Sequence, residues 1–117
     1  MAGVGEPTDG AGTEAVVRAY YAALDGHAYE NLESLLASDF RQRRPDRTLE
    51  GREAFVRFMR EERPNRETTH ELESVVVDGD RAVVRGRLLD GGEELLAFSD
   101  HFALEDGRIN RLETDTR

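Results

Sequence analysis

The feature that most constrains this chain is a change of hydrophobic period at Pro64. Before it, apolar residues recur every three to four positions; after it, they alternate. The first half therefore reads as helices and the second as strands. Val16, Val17, Tyr20, Tyr21 and Leu24 share one helical face, with Thr13 as the expected N-cap and Gly26 as the expected end. A second helix is expected over Ala28–Leu36 and a third over Arg52–Glu62, where Phe55, Phe58 and Met59 share a face and Pro64 acts as the stop. Between them, Phe40–Arg44 reads as a short strand closed by Pro45.

Alternating stretches then follow at Thr68–Val77, Arg81–Leu89, Glu94–Leu104 and Arg108–Thr114. They are separated by Asp78-Gly79-Asp80, Asp90-Gly91-Gly92 and Glu105-Asp106-Gly107. Asp-Gly pairs between alternating runs mark tight hairpins, because glycine supplies the positive φ. The expectation is an α+β domain spanning residues 13–117, with helices packed against a mostly antiparallel sheet. Residues 1–12, rich in glycine and without period, read as a flexible tail. They carry neither a basic stretch nor an apolar one, so no secretory signal is visible and the cytoplasm is the expected location.

Composition removes several function classes. No apolar run approaches the length of a membrane span, and the absence of Cys excludes thiol nucleophiles and disulfide scaffolds. Twenty-five acidic residues against sixteen basic ones give a net charge of -9, which repels nucleic-acid backbones. His27, His70 and His101 lack the spacing of metal ligands, so no metal is expected. Arg41, Arg43, Arg44 and Arg47 cluster locally, read here as charges that protect an edge strand.

The strand over Glu94–Leu104 is the most informative. Leu96, Phe98, Asp100, Phe102 and Leu104 fall on one face, a single carboxylate in an apolar row. If that face is inward, Asp100 must be neutral or partnered. Ser99, Asp100 and His101 imitate a hydrolase triad, but alternate strand residues point to opposite faces and cannot relay a proton. The same arithmetic turns His70, Leu72 and Ser74 inward, and Gln42 and Arg44 along with Phe40. Tyr20, Arg44, His70 and Asp100 form the expected polar lining. His70 is a candidate base and Asp100 a candidate acid, while an Arg44–Asp100 pair would instead keep the carboxylate ionised and inert.

The order of these pieces resembles the NTF2-like superfamily, and within it the SnoaL-like and ketosteroid-isomerase-like branches. The resemblance is carried by Val16-Val17-Arg18-Ala19-Tyr20-Tyr21-Ala22-Ala23-Leu24-Asp25-Gly26, Leu35-Leu36-Ala37-Ser38-Asp39-Phe40 and Leu49-Glu50-Gly51-Arg52-Glu53-Ala54. Val75-Val76-Val77-Asp78-Gly79-Asp80, Ser99-Asp100-His101-Phe102 and Asp106-Gly107-Arg108-Ile109 complete it. It implies a cone-shaped fold with an apolar pocket and a homodimer packed through the sheet, for which Leu95, Ala97 and Ala103 are the expected contacts. The pocket is expected to take an apolar or carboxylate-bearing small molecule without a cofactor. Phe40, Phe55, Met59, Leu72, Phe98, Phe102 and Leu112 are expected to line it beside the polar four.

The isomerases of this superfamily use a helix-one Tyr with a protonated Asp as an oxyanion hole, which the resemblance places at Tyr20 and Asp100. Their catalytic base precedes a Pro on the first strand. That position is Arg44 here, and an arginine does not abstract protons at physiological pH. The implied functions are a small-molecule binder with an unassigned reaction, an enzyme of the isomerase, polyketide-cyclase or epoxide-hydrolase type using Tyr20, His70 and Asp100, or a non-catalytic dimeric interaction module.

Overall fold

The computed structural model describes residues 10–63, 65 and 67–117. Among them are three helices, α1 (Gly10–Asp25), α2 (Tyr29–Leu35) and α3 (Arg52–Arg57), the last continuing as a π-helical turn over Phe58–Glu62. Six strands make one sheet: β1 (Leu36–Arg43), β2 (Thr48–Glu50), β3 (Thr68–Asp78), β4 (Arg81–Asp90), β5 (Glu93–Glu105) and β6 (Arg108–Thr116). Their order is β2-β1-β6-β5-β4-β3, antiparallel except for the β1–β6 pair. No described helix is long and apolar enough to cross a membrane.

The helices differ from expectation at their ends. α1 begins at Gly10, so Thr13 is not a cap. It lies inside the helix, buried, and its hydroxyl donates to the Gly79 carbonyl at 2.6 Å, tying α1 to the β3–β4 hairpin. The remainder of the expected tail, residues 1–9, lies outside the described residues. The left-handed residue after α1 is His27 (φ 56°) rather than Gly26, whose N–H still donates to Ala22 in the helical manner. At the end of the π turn Arg63 becomes extended, with ψ 143°; Pro64, the expected stop, lies outside the described residues. The strand expected at Phe40–Arg44 starts earlier, at Leu36, and the polar turn after it holds a further short strand, β2.

The expected hairpins form. At the β5–β6 turn both central residues, Asp106 and Gly107, have positive φ (54° and 79°), the mirror-image turn that matches strand twist. Three bulges in the antiparallel pairs of β3–β6 curve the sheet, at Glu73 in β3, Leu95 in β5 and Asn110 in β6, each placing an extra residue against its partner strand. A bulge reverses alternation, which explains two departures. Ser74 is exposed rather than inward, because beyond Glu73 the inward positions become Val75 and Val77. Leu95 does not join Ala97 and Ala103 on the outer face; it turns to the mouth of the cavity described below.

The core lies between α1, α3 and the concave face of the sheet. Phe40, Phe55, Leu32, Leu36, Ile109 and Leu112 are fully buried there. Phe40 and Phe55 meet edge to face at 4.7 Å between ring centres. This packing closes one end of the cone and leaves the other open.

Candidate functional site

The open end holds a cavity of about 450 Å³. Its walls come from α1, the π turn, the β1–β2 turn and strands β3–β6. Apolar surface from Leu24, Met59, Leu88, Leu95, Leu96 and Phe98 surrounds a few polar groups, a size and balance suited to a small organic ligand.

Asp100 lies deep in it. Alternation along β5 turns Phe98, Asp100 and Phe102 inward, as expected, and Asp100 is only 5% exposed. Both of its oxygens are used: the Tyr21 hydroxyl donates to Oδ2 at 2.5 Å and the Thr114 hydroxyl to Oδ1 at 2.6 Å. Thr114 stands opposite Asp100 in the β5–β6 register, and its own oxygen accepts from Gln42 Nε2 at 2.9 Å. The chain of bonds stops there, because Gln42 Oε1 is buried without a partner among the described residues.

Burial pushes the Asp100 carboxyl above its ordinary value. The bonds from Thr114 and Tyr21 and the fields of His70 and Arg44 oppose that rise without cancelling it. Either protonation state keeps the cluster bonded, since the two hydroxyls can donate or accept. The Tyr21 phenol is itself pushed far up by burial and by the neighbouring Asp100, so it remains a donor at any physiological pH.

His70 lies on the β3 wall. Asp25, the last residue of α1, holds it twice: Oδ1 is 2.6 Å from the ring Nδ1, and Oδ2 accepts from the backbone N–H at 3.0 Å. A carboxylate partner assigns the Nδ1–H tautomer, which leaves Nε2 as the basic nitrogen. The Tyr21 and Phe98 rings flank the imidazole at 5.1 and 5.7 Å between centres. A restrained histidine and a carboxyl inclined to be neutral thus share one apolar cavity, the two components of general acid–base chemistry.

Tyr20, Arg44, Met59, His70, Phe98 and Asp100, all expected at the site, line the cavity. Phe40, Phe55, Leu72, Phe102 and Leu112 do not. They pack in or against the core behind it, because alternation reports which face a residue is on but not its depth along the cone. Two pairings also differ. The phenol bonded to Asp100 is Tyr21, not Tyr20; one residue along α1 is a rotation of about 100°, which turns Tyr20 between Phe55 and Phe102 instead. Arg44 does not pair with Asp100. Its Nε lies 3.6 Å from Asp46, and its guanidinium sits over Phe58.

The expectation omitted Asp25, Gln42, Arg63, Thr68 and Thr114 from the site. Thr68 and Thr114 follow by period two from His70 and Leu112, so their signal was in the strand pattern. Arg63 reaches the cavity, and Asp25 reaches His70 behind its wall, only through tertiary packing. Among the described residues no group of three or more His, Asp or Glu is placed to hold a metal.

The sequence profile of the family described as SnoaL-like domain matches residues 17–112. Among solved structures, a candidate ketosteroid isomerase from Kribbella flavida is similar, with 29% identity, TM-score 0.84, and coverage of 94% of this chain and 81% of that one. A candidate polyketide cyclase from Sinorhizobium meliloti is similar at 26% identity and TM-score 0.73, covering 85% and 92%. An LEH-like epoxide hydrolase from M. tuberculosis shares the fold at 16% identity and TM-score 0.76, covering 92% and 84%. No curated protein sequence matches the chain.

Proposed function

The chain belongs to the SnoaL-like domain family, an NTF2-like fold, and on that premise we propose that it binds a small molecule with an apolar body in its cavity and moves a proton on it. The observation that carries this reading is the pairing of one base and one acid in one desolvated space: His70, fixed by Asp25 at 2.6 Å, and Asp100, whose carboxyl burial pushes up. His70 Nε2 takes a proton from carbon next to a carbonyl, and the electron pair moves to the carbonyl oxygen. Neutral Asp100 donates a hydrogen bond to that oxygen, and the proton returns at another carbon, shifting a double bond. By the resemblance to the isomerases Arg44 stands where their base would be, and this reading puts the base on another wall of the cone. Asp25 acts as a positioning residue. The names of the Kribbella and Sinorhizobium proteins, an isomerase and a cyclase, are consistent with this class of reaction.

The test is isomerisation of cyclohex-3-enone in deuterated buffer, followed by NMR and mass spectrometry. The wild type is expected to move the double bond and incorporate deuterium. His70→Gln and Asp100→Leu should each lower the rate by about a hundredfold or more. Absence of turnover by the wild type, or variants as fast as it, would remove the reading.

A second reading concerns assembly. Ala97, Ala103, Val83 and His101 share the outer sheet face, with Val83 36% exposed, and we propose that a second copy packs there. Sedimentation should give a dimer that Val83→Glu weakens; a monomeric wild type at high micromolar concentration would refute it.

A further inference from the structure

Three polar groups lining the cavity have no part in the proton-transfer scheme. Tyr20 is 2% exposed, yet its hydroxyl makes no hydrogen bond among the described residues. Arg63 has no carboxylate within 4.0 Å among the described residues. Its Nη2 reaches only the Leu24 carbonyl and the Tyr29 hydroxyl, both at 3.4 Å, and its Nε is buried without a partner. Arg44 has one acidic neighbour, Asp46, which is 63% exposed and shared with Arg47 at 3.5 Å. Tyr20, Arg44 and Arg63 all line the same cavity, toward the side formed by α1, the β1–β2 turn and the end of the π turn.

Two under-neutralised cations and a hydroxyl free to donate therefore line one apolar cavity of a chain whose net charge is -9. Such a cluster is costly unless an anion completes it. The anion has to be small in charge. Asp46 already offsets part of Arg44, and Asp100 faces the same space, so a phosphate dianion would meet more repulsion than a carboxylate.

We propose that the substrate is a monocarboxylic acid with an apolar body, its carboxylate held by Arg63, Arg44 and the Tyr20 hydroxyl while its far end reaches His70 and Asp100. The inference rests on the cavity being the ligand site, and it adds the head group. In this arrangement Arg44 serves recognition, which gives a use to the arginine standing where a base is otherwise expected.

Calorimetric titration with octanoate and with 1-octanol, at pH 7.5 and low salt, tests it. The wild type is expected to bind octanoate at least about tenfold more tightly than octanol, a preference that added salt reduces. Arg63→Gln should abolish the preference while leaving octanol binding in place, and Arg63→Lys should retain part of it. Tyr20→Phe should weaken octanoate alone. Equal binding of both probes, or an undiminished preference in Arg63→Gln and Arg63→Lys, would overturn the head-group assignment while leaving the cavity as the ligand site. Binding of neither probe would overturn both.

Discussion

Replacing Asp100 separates the two forces acting on its carboxyl. Asp100→Asn keeps the shape. Its amide oxygen accepts from Tyr21 and its NH₂ donates to Thr114, whose proton then turns to Gln42. A flipped Gln42 amide presents its oxygen to that proton, so the Tyr21 and Thr114 hydroxyls both keep partners. Asp100→Leu instead leaves the buried Tyr21 hydroxyl without its acceptor, while Thr114 keeps Gln42. At about 1–3 kcal/mol for an orphaned buried group, that variant should lose at least about 1 kcal/mol.

The pH dependence carries the sharper test. The folded carboxyl titrates above its unfolded value, so between those two points the native state holds one more proton than the unfolded chain. Wild-type stability is then fully present below the unfolded value, near 4, and falls by about 1.4 kcal/mol per pH unit until the folded value is passed. Asp100→Asn lacks this slope. Urea unfolding of both proteins from pH 4 to 9 should show the wild type losing ground to Asp100→Asn as pH rises, then a constant difference. A difference that is flat throughout, or that grows in favour of the wild type, would refute the reasoning: the two hydroxyls would then outweigh burial.

Other perturbations bear on neighbouring parts of the account. Asp25→Ala removes both bonds to His70 and should cost on the order of 1–3 kcal/mol in chemical unfolding, while loosening the imidazole so that its NMR signals broaden. Tyr21→Phe takes one donor from Asp100, so a carboxyl-carbon NMR titration should find the Asp100 midpoint higher still. Gly86→Ala should be severe, on the order of 3 kcal/mol by urea midpoint, because an added Cβ would lie 2.4 Å from the Glu71 carbonyl oxygen and 2.9 Å from the Phe98 ring.

Period two was enough to place Asp100, because β5 alternates without interruption from Leu96 to Leu104, and the Asp-Gly turns set the hairpins around it. The same rule failed wherever a bulge reset the alternation, at Ser74 and at Leu95, since one inserted residue leaves no mark in composition. β1 lies beside β6, the strand farthest from it in the chain, through a parallel pairing that local patterns do not encode. That pairing brings Gln42 next to Thr114. Tyr20 and Tyr21 are equivalent to a periodicity argument, as both lie on the buried side of α1. Only the packed sheet decides which phenol reaches Asp100. The Asp25–His70 contact spans 45 residues between a helix end and a strand, and nothing near either residue announces it.

The claim that unites these results is that the cone's open end is the ligand site. An amide-resolved NMR titration with octanoate addresses it most directly. The account predicts saturable shifts concentrated at Gln42, His70, Phe98, Asp100 and Thr114, the residues that line the cavity. Shifts confined to Val83, His101 and Glu113 on the outer face of the sheet, or none at millimolar octanoate, would contradict it.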